Sequence, residues 1–86
     1  MYLHLGQNVV VPEAAVVGVF DLDNTTGSQI TRKYLNQAEK ERKIINVSDE
    51  LPKSFVVCNE NNKTFIYLSQ LSSQTLLKRS EGMRFV

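Results

Sequence analysis

Little in this sequence invites redox or metal chemistry. A single cysteine, Cys58, stands among 86 residues, so no disulfide can close within one chain. One histidine, His4, and no cysteine cluster leave zinc without its usual ligands. The four glycines are scattered at positions 6, 18, 27 and 82, so no glycine-rich loop is available to cradle a phosphate. Tryptophan is absent and there are only two prolines. Charge of neither sign dominates: ten Lys and Arg against nine Asp and Glu give +1, and the bulk balance points to no polyanion. No apolar run approaches the roughly 20 residues of a membrane helix. Met1–Leu5 lacks the basic start and apolar core of a secretory signal. The expectation is a cytoplasmic protein with no membrane contact, no cofactor, no metal and no small-molecule substrate.

What is present is enough apolar residue, 42%, for a thin core. A chain this short buries only about 60–65% of the surface its unfolded form exposes. Such chains often gain stability by associating with copies of themselves. The length predicts one domain over 1–86, with an ordered core at about 2–80 and a short tail at 81–86.

Tyr2–Leu5 alternates weakly and predicts an edge strand. Asn8–Val11 is β-branched, and Pro12 stops it or holds it at an edge. Ala14–Phe20, AAVVGVF, predicts a strand covered on both faces, with a bulge or close approach at Gly18. From about Thr26 to Lys43, Ile30, Tyr34, Leu35 and Ala38 recur at helical spacing and predict a buried stripe. Asn24, Thr25, Thr26 and Ser28 are candidate N-caps of that helix. Ile44–Val47 predicts a short strand, followed by the polar loop Ser48–Lys53. Ser54–Cys58 and Thr64–Leu68 predict a hairpin around Asn59–Lys63, because asparagine tolerates positive φ. Ser72 or Ser73 would cap a last short helix carrying Leu76 and Leu77. The predicted class is α+β: one small antiparallel or mixed sheet packed by one major helix, with a short C-terminal helix.

Three features could carry chemistry. Asp21-Leu22-Asp23-Asn24-Thr25 follows an apolar run and precedes a helix, and it resembles the nucleophile loop of haloacid-dehalogenase-like phosphatases. In that reading Asp21 attacks phosphorus. In the other, the acids sit beside the positive end of a helix. Aspartyl phosphoryl transfer also needs a magnesium ion, further carboxylates and a phosphate-binding cation, usually from later strands of a parallel sheet. Only one strand–helix unit of that kind is predicted here. The lone His4 predicts a half-buried strand residue, and Cys58, in an apolar strand, predicts an inert core thiol. The third feature is Gln29–Lys43, with five Lys or Arg against two Glu. Arg32, Asn36, Glu39 and Lys43 fall on one helical edge, and Lys33, Gln37 and Lys40 on the next. This is either a solvated face or a set of phosphate contacts on nucleic acid.

The chain also resembles a family. LHLGQNVVVPE, then GVFDLDNTT, then ITRKYLNQAEKERKIINVSDELPKSFVV occur in the order and spacing of the small bacterial extracellular matrix regulators, the RemA/RemB family, nearest the RemB branch. The resemblance runs from about Tyr2 to Ser80. It implies a non-enzymatic cytoplasmic regulator of biofilm-matrix genes that forms ring-like homo-oligomers and binds double-stranded DNA through arginines. Carried over position by position, it points to Arg32, with Lys33 beside it. Where the RemA branch has an arginine pair after the following strand, this chain has Leu51-Pro52, with Lys53 next. Another family arginine falls in the Glu13-Ala14 region, where no cation stands. Arg32, Lys33, Lys40 and Lys53 are the candidate DNA contacts. The rival expectation is an adaptor oligomer that docks a protein through Asp49-Glu50-Leu51-Pro52 and ignores DNA.

Overall fold

The computed structural model describes residues 1–22 and 29–81. Strands β1 (Tyr2–Gly6) and β2 (Val9–Pro12) form an antiparallel hairpin. A 3₁₀ turn, Glu13–Ala15, leads into β3 (Val16–Asp21). Helix α1 (Gln29–Lys40) follows, then β4 (Ile44–Asn46), β5 (Ser54–Glu60), β6 (Lys63–Ser69) and helix α2 (Ser73–Glu81). The class is α+β, as the pattern predicts, but the described strands form two sheets instead of one. The β1–β2 hairpin stands apart from a mixed sheet of order β3-β5-β6-β4, in which only β4 and β6 are parallel. The chain runs from β4 to its parallel partner β6 through the loop at 47–53 and strand β5, which crosses to the far side of β6.

The four-stranded sheet divides two apolar clusters. On one face Leu3, Leu5, Val11, Val56, Cys58 and Leu76 pack the hairpin and α2 against it. On the other, Leu22, Ala38, Phe55, Val57 and Ile66 lie under α1 with Leu35, Ile44 and Leu68. Strand β5 is therefore buried on both sides, Val56 and Cys58 facing one cluster and Phe55 and Val57 the other. The expectation of two covered faces fell on Ala14–Phe20 and belongs to β5. β3 lies at the edge of the sheet, where Val17 and Phe20 are exposed. A helix about 10 Å across cannot cover four strands spaced about 4.8 Å apart, so one end of that face stays open.

Local chemistry explains the joints. Between Val16 and Gly18 the register slips against β5, which is the bulge expected at Gly18. A methyl on Gly18 would sit 2.8 Å from the Phe20 ring, which stacks on Phe55 at 5.0 Å. Asn61 and Asn62 both take positive φ, 52° and 65°, and close the β5–β6 hairpin as a two-residue turn. Helix α1 ends in a Schellman motif: the Lys43 amide donates to the Ala38 carbonyl at 2.9 Å and the Arg42 amide to Glu39 at 3.0 Å. Arg42 occupies the left-handed position, φ 60°, usually given to glycine. Ser72 caps α2, its Oγ accepting from the Thr75 amide at 3.1 Å. The proposed caps Asn24, Thr25, Thr26 and Ser28 and the tail beyond Glu81 lie outside the described residues.

Two buried serines tie the layers together. Ser69 Oγ donates to the Leu5 carbonyl at 2.6 Å, 64 residues away in sequence, and accepts from the Leu71 amide at 3.1 Å. Ser54, its cross-strand neighbour, donates to the Leu71 carbonyl at 2.8 Å. These hydroxyls satisfy backbone groups that the hairpin and the approach to α2 would otherwise bury unpaired.

Candidate nucleic-acid interface

Helix α1 sets the geometry of the basic segment. At about 100° per residue, Leu35 and Ala38 centre the buried arc, so Lys33 and Lys40 point away from the sheet, nearly in line with each other. Both are exposed. Arg32 lies on one flank with Asn36 and Glu39, which line a groove of about 420 Å³ closed by Leu51 and Pro52. Lys53, exposed, stands just beyond that groove, its amide donating to Ser69 and its carbonyl accepting from Leu22. The four predicted cations are thus split: two on the crest of α1, one on a flank, and one at the start of β5.

Lys43 does not belong to the helical edge on which sequence spacing put it, because the chain leaves the helix at Lys40. Its Nζ pairs with Glu41 at 3.0 Å, and Gln37 donates to the other Glu41 oxygen at 2.7 Å. Those contacts, Gln37 first and Lys43 second, hold the Glu41 carboxyl below the ordinary carboxylate range. The fold then adds cations that spacing alone did not reveal as neighbours. The turn after β5 meets the end of α1, so Arg42, Lys43 and Lys63 line one shallow cavity with Asn62, Thr64 and the acid Glu41 that pairs with Lys43. Lys40 closes the helix two residues before. The cations also face the negative end of α1, which favours them there whatever else they do.

The opposite flank of α1 is apolar. Ile30 and Tyr34, expected in the buried stripe, are exposed, Ile30 to 80%. They overhang a cavity of about 350 Å³ with Val17, Phe20 and Phe55. The buried stripe is narrower than the spacing predicts, because the described cluster under α1 draws on β4, β5 and β6 and on no residue of β3.

The other candidates fall into place individually. Asp21 ends β3, half-buried and paired across to Ser54. Asp23, Asn24 and Thr25 lie outside the described residues, so the D-x-D-x-T loop is seen only at its first two positions. Among the described residues no cluster of three His, Cys, Asp or Glu side chains could hold a metal ion. His4 is exposed instead of half-buried, its Nε2 donating to the Gln7 carbonyl at 2.8 Å. Cys58 is buried, and burial first, with Glu60 adding, pushes its thiol up to about 11, which suits an inert core residue. No helix among the described residues is long and apolar enough to cross a membrane.

Comparison with known proteins agrees with the resemblance seen in the sequence. The profile of the RemA-like family, described as extracellular matrix regulatory protein A-like, matches residues 2–79. The chain is also similar to the extracellular matrix regulatory protein B of Bacillus subtilis (strain 168). The two are 39% identical over 83 residues, covering 96% of this chain and 94% of that protein. Both names describe regulators and neither describes an enzyme.

Proposed function

The chain belongs to the RemA-like family of extracellular matrix regulatory proteins, and from that premise we propose that it is a non-enzymatic cytoplasmic regulator of biofilm-matrix genes. It assembles from identical copies and binds double-stranded DNA. The observation that carries the DNA half is the arrangement of cations around the end of α1. Lys33 and Lys40 project from the crest, while Arg42, Lys43 and Lys63 gather beyond it. Arg32, on the Asn36–Glu39 flank of α1, and Lys53, next to Pro52 in sequence, extend the set. A few cations of one protomer bind a phosphate backbone weakly, and repetition over linked copies raises the effective concentration of the rest.

The test is a gel-shift titration of duplex DNA at several salt concentrations. Lys40→Glu with Lys53→Glu should weaken binding at every salt and flatten the salt dependence, with oligomer mass and circular dichroism unchanged. Unchanged DNA affinity in that double variant contradicts the assignment. A second reading has its own observation: Leu51 is 87% exposed between an acidic pair and Pro52. In that reading the loop docks a protein partner. Capture from lysate with and without nuclease separates the two, because partners held through DNA are lost on digestion.

A further inference from the structure

The groove between α1 and the Leu51–Pro52 loop joins an aliphatic floor to unpaired polar groups. Its floor is Leu22, Leu35, Ile44 and Leu68, all part of the cluster under α1. Asn36 and Glu39 stand on the helix side, and Leu51 and Pro52 on the loop side. Among the described residues neither the Asn36 amide nor the Glu39 carboxylate has a side-chain hydrogen bond or ion pair. Leu51, 87% exposed, carries the apolar surface past the groove, so a small ligand on the floor would leave it in water. The groove's volume of about 420 Å³ equals that of a cube about 7.5 Å on a side. A helix with its side chains, about 10–12 Å across, is too wide for it, whereas an extended chain, which needs about 4.8 Å beside a neighbouring strand, is not.

Glu39 is the one charged side chain in that lining among the described residues. Cations stand around the groove but not in it. Lys40 follows Glu39 and points from the crest of α1, and Lys43 precedes Ile44 and is paired with Glu41. Arg32 lies a turn before Asn36, and Lys53 follows Pro52. Acids flank the lining as well: Asp21 precedes Leu22, and Asp49 and Glu50 precede Leu51. The interior thus holds one unpaired negative charge over aliphatic side chains, which disfavours a phosphate and favours a cation beside an apolar group. The recess beside β3 has no charged lining side chain to select an occupant in this way. Among the described residues, exposed aliphatic side chains close to a cation and clear of acids lie in helices, Ile30 near Lys33 in α1 and Leu77 beside Lys78 in α2. An extended segment of that composition therefore comes from another protein.

We infer that this groove binds an extended segment of a different protein in which an aliphatic side chain is flanked by lysine or arginine. The aliphatic group lies on Leu35, Ile44 and Leu68 against Leu51, and a flanking cation meets Glu39. The Asn36 amide, with both donor and acceptor, serves the segment's backbone. The inference rests on the second reading of the function, in which the Leu51 loop docks a protein, and it gives that partner its chemistry and its place.

The test titrates the full chain, methyl-labelled for NMR, with the capped peptide Ser-Lys-Leu-Lys-Ser and with Ser-Glu-Leu-Glu-Ser. The lysine peptide should shift the methyl resonances of Leu35, Ile44, Leu51 and Leu68 and leave those of Val17 and Ile30 in place. The glutamate peptide should bind about 10-fold more weakly, because it exchanges an exposed attraction for a repulsion. Glu39→Lys should reverse the order of the two peptides, and Leu51→Ser should weaken the lysine peptide. Both positions are exposed, so neither change burdens the core. Equal binding of the two peptides, or an order that Glu39→Lys leaves unchanged, overturns the assignment of the groove. So does a lower oligomer mass for Leu51→Ser without peptide, because a second copy then holds the groove. The loop reading fails separately, if Leu51→Ser retains in full every partner that the unmodified protein captures after nuclease treatment. If the peptide arms fail while Leu51→Ser still loses such a partner, the loop docks a protein outside the groove, and only the groove assignment is wrong.

Discussion

Replacing Ser69 with alanine probes the joint between the two sheets more directly than any core truncation. The side chain is fully buried and loses only one oxygen, so cavity formation contributes little. The hydroxyl, however, serves two backbone groups, donating to Leu5 at 2.6 Å and accepting from Leu71 at 3.1 Å. Alanine leaves a carbonyl and an amide without that partner. At about 1–2 kcal/mol for each orphaned group, Ser69→Ala should cost about 2–4 kcal/mol. Ser54→Ala removes one bond, to the Leu71 carbonyl, and should cost about half as much. Entropy of unfolding near 2.1 cal/mol/K per residue gives about 0.18 kcal/mol/K for this chain, so a loss of about 3 kcal/mol lowers Tm by about 17 °C. Urea unfolding followed by circular dichroism at one fixed protein concentration measures the difference without mixing in changes of assembly. A Ser69→Ala protein within about 0.5 kcal/mol of the unmodified one would refute the role given to this hydroxyl. So would a larger loss for Ser54→Ala than for Ser69→Ala.

Two further predictions concern single backbone and titration features. Arg42 holds φ at 60° in the Schellman turn, so Arg42→Gly should stabilise the protein by about 0.5–1 kcal/mol in the same urea experiment, and a loss would contradict the left-handed assignment. The Cys58 thiol, raised by burial from 9.0 to about 11, keeps its proton longer in the folded chain than in the unfolded one. Its contribution to stability is complete below pH 9 and is lost as pH rises through about 11, with half-buried Tyr67, also raised, acting in the same direction. Unfolding midpoints across pH 8–11 should fall in the Cys58 protein and fall less in Cys58→Ala; equal slopes would contradict it. A thiol reagent should label Cys58 in denaturant and leave it untouched in the native protein.

The elements themselves were legible where local chemistry decides them. The asparagine-rich loop Asn59–Lys63 predicts the β5–β6 turn, Pro12 the end of β2, Gly18 a bulge or close approach and Ser72 or Ser73 the cap of α2, because each depends on the preferences of a few residues. What could not be read were relations set by tertiary packing. Periodicity marks an apolar arc on α1 but does not say how far the sheet extends beneath it, so Ile30 and Tyr34 were expected inside and lie outside. Two valine-rich runs, at β3 and β5, look alike in sequence, and only sheet order makes one an edge and the other a centre. The candidate interface follows the same division. Arg32, Lys33 and Lys40 were visible as a basic run, whereas Lys63 sits in an ordinary hairpin turn and becomes a neighbour of Arg42 and Lys43 only when β6 pairs with β4.

The central claim is that identical copies present their cations together to a DNA backbone, and the salt dependence of duplex binding tests both halves at once. Each phosphate neutralised contributes about 0.9 to the slope of log K against log salt, so the cations assigned on one protomer, Arg32, Lys33, Lys40, Arg42, Lys43, Lys53 and Lys63, cannot account for a slope much steeper than about −6.3. The account predicts binding at low salt with a slope clearly beyond that figure, reached as protein concentration passes the assembly threshold. Absence of binding at low salt, or a shallow slope that is the same at every protein concentration, would contradict it.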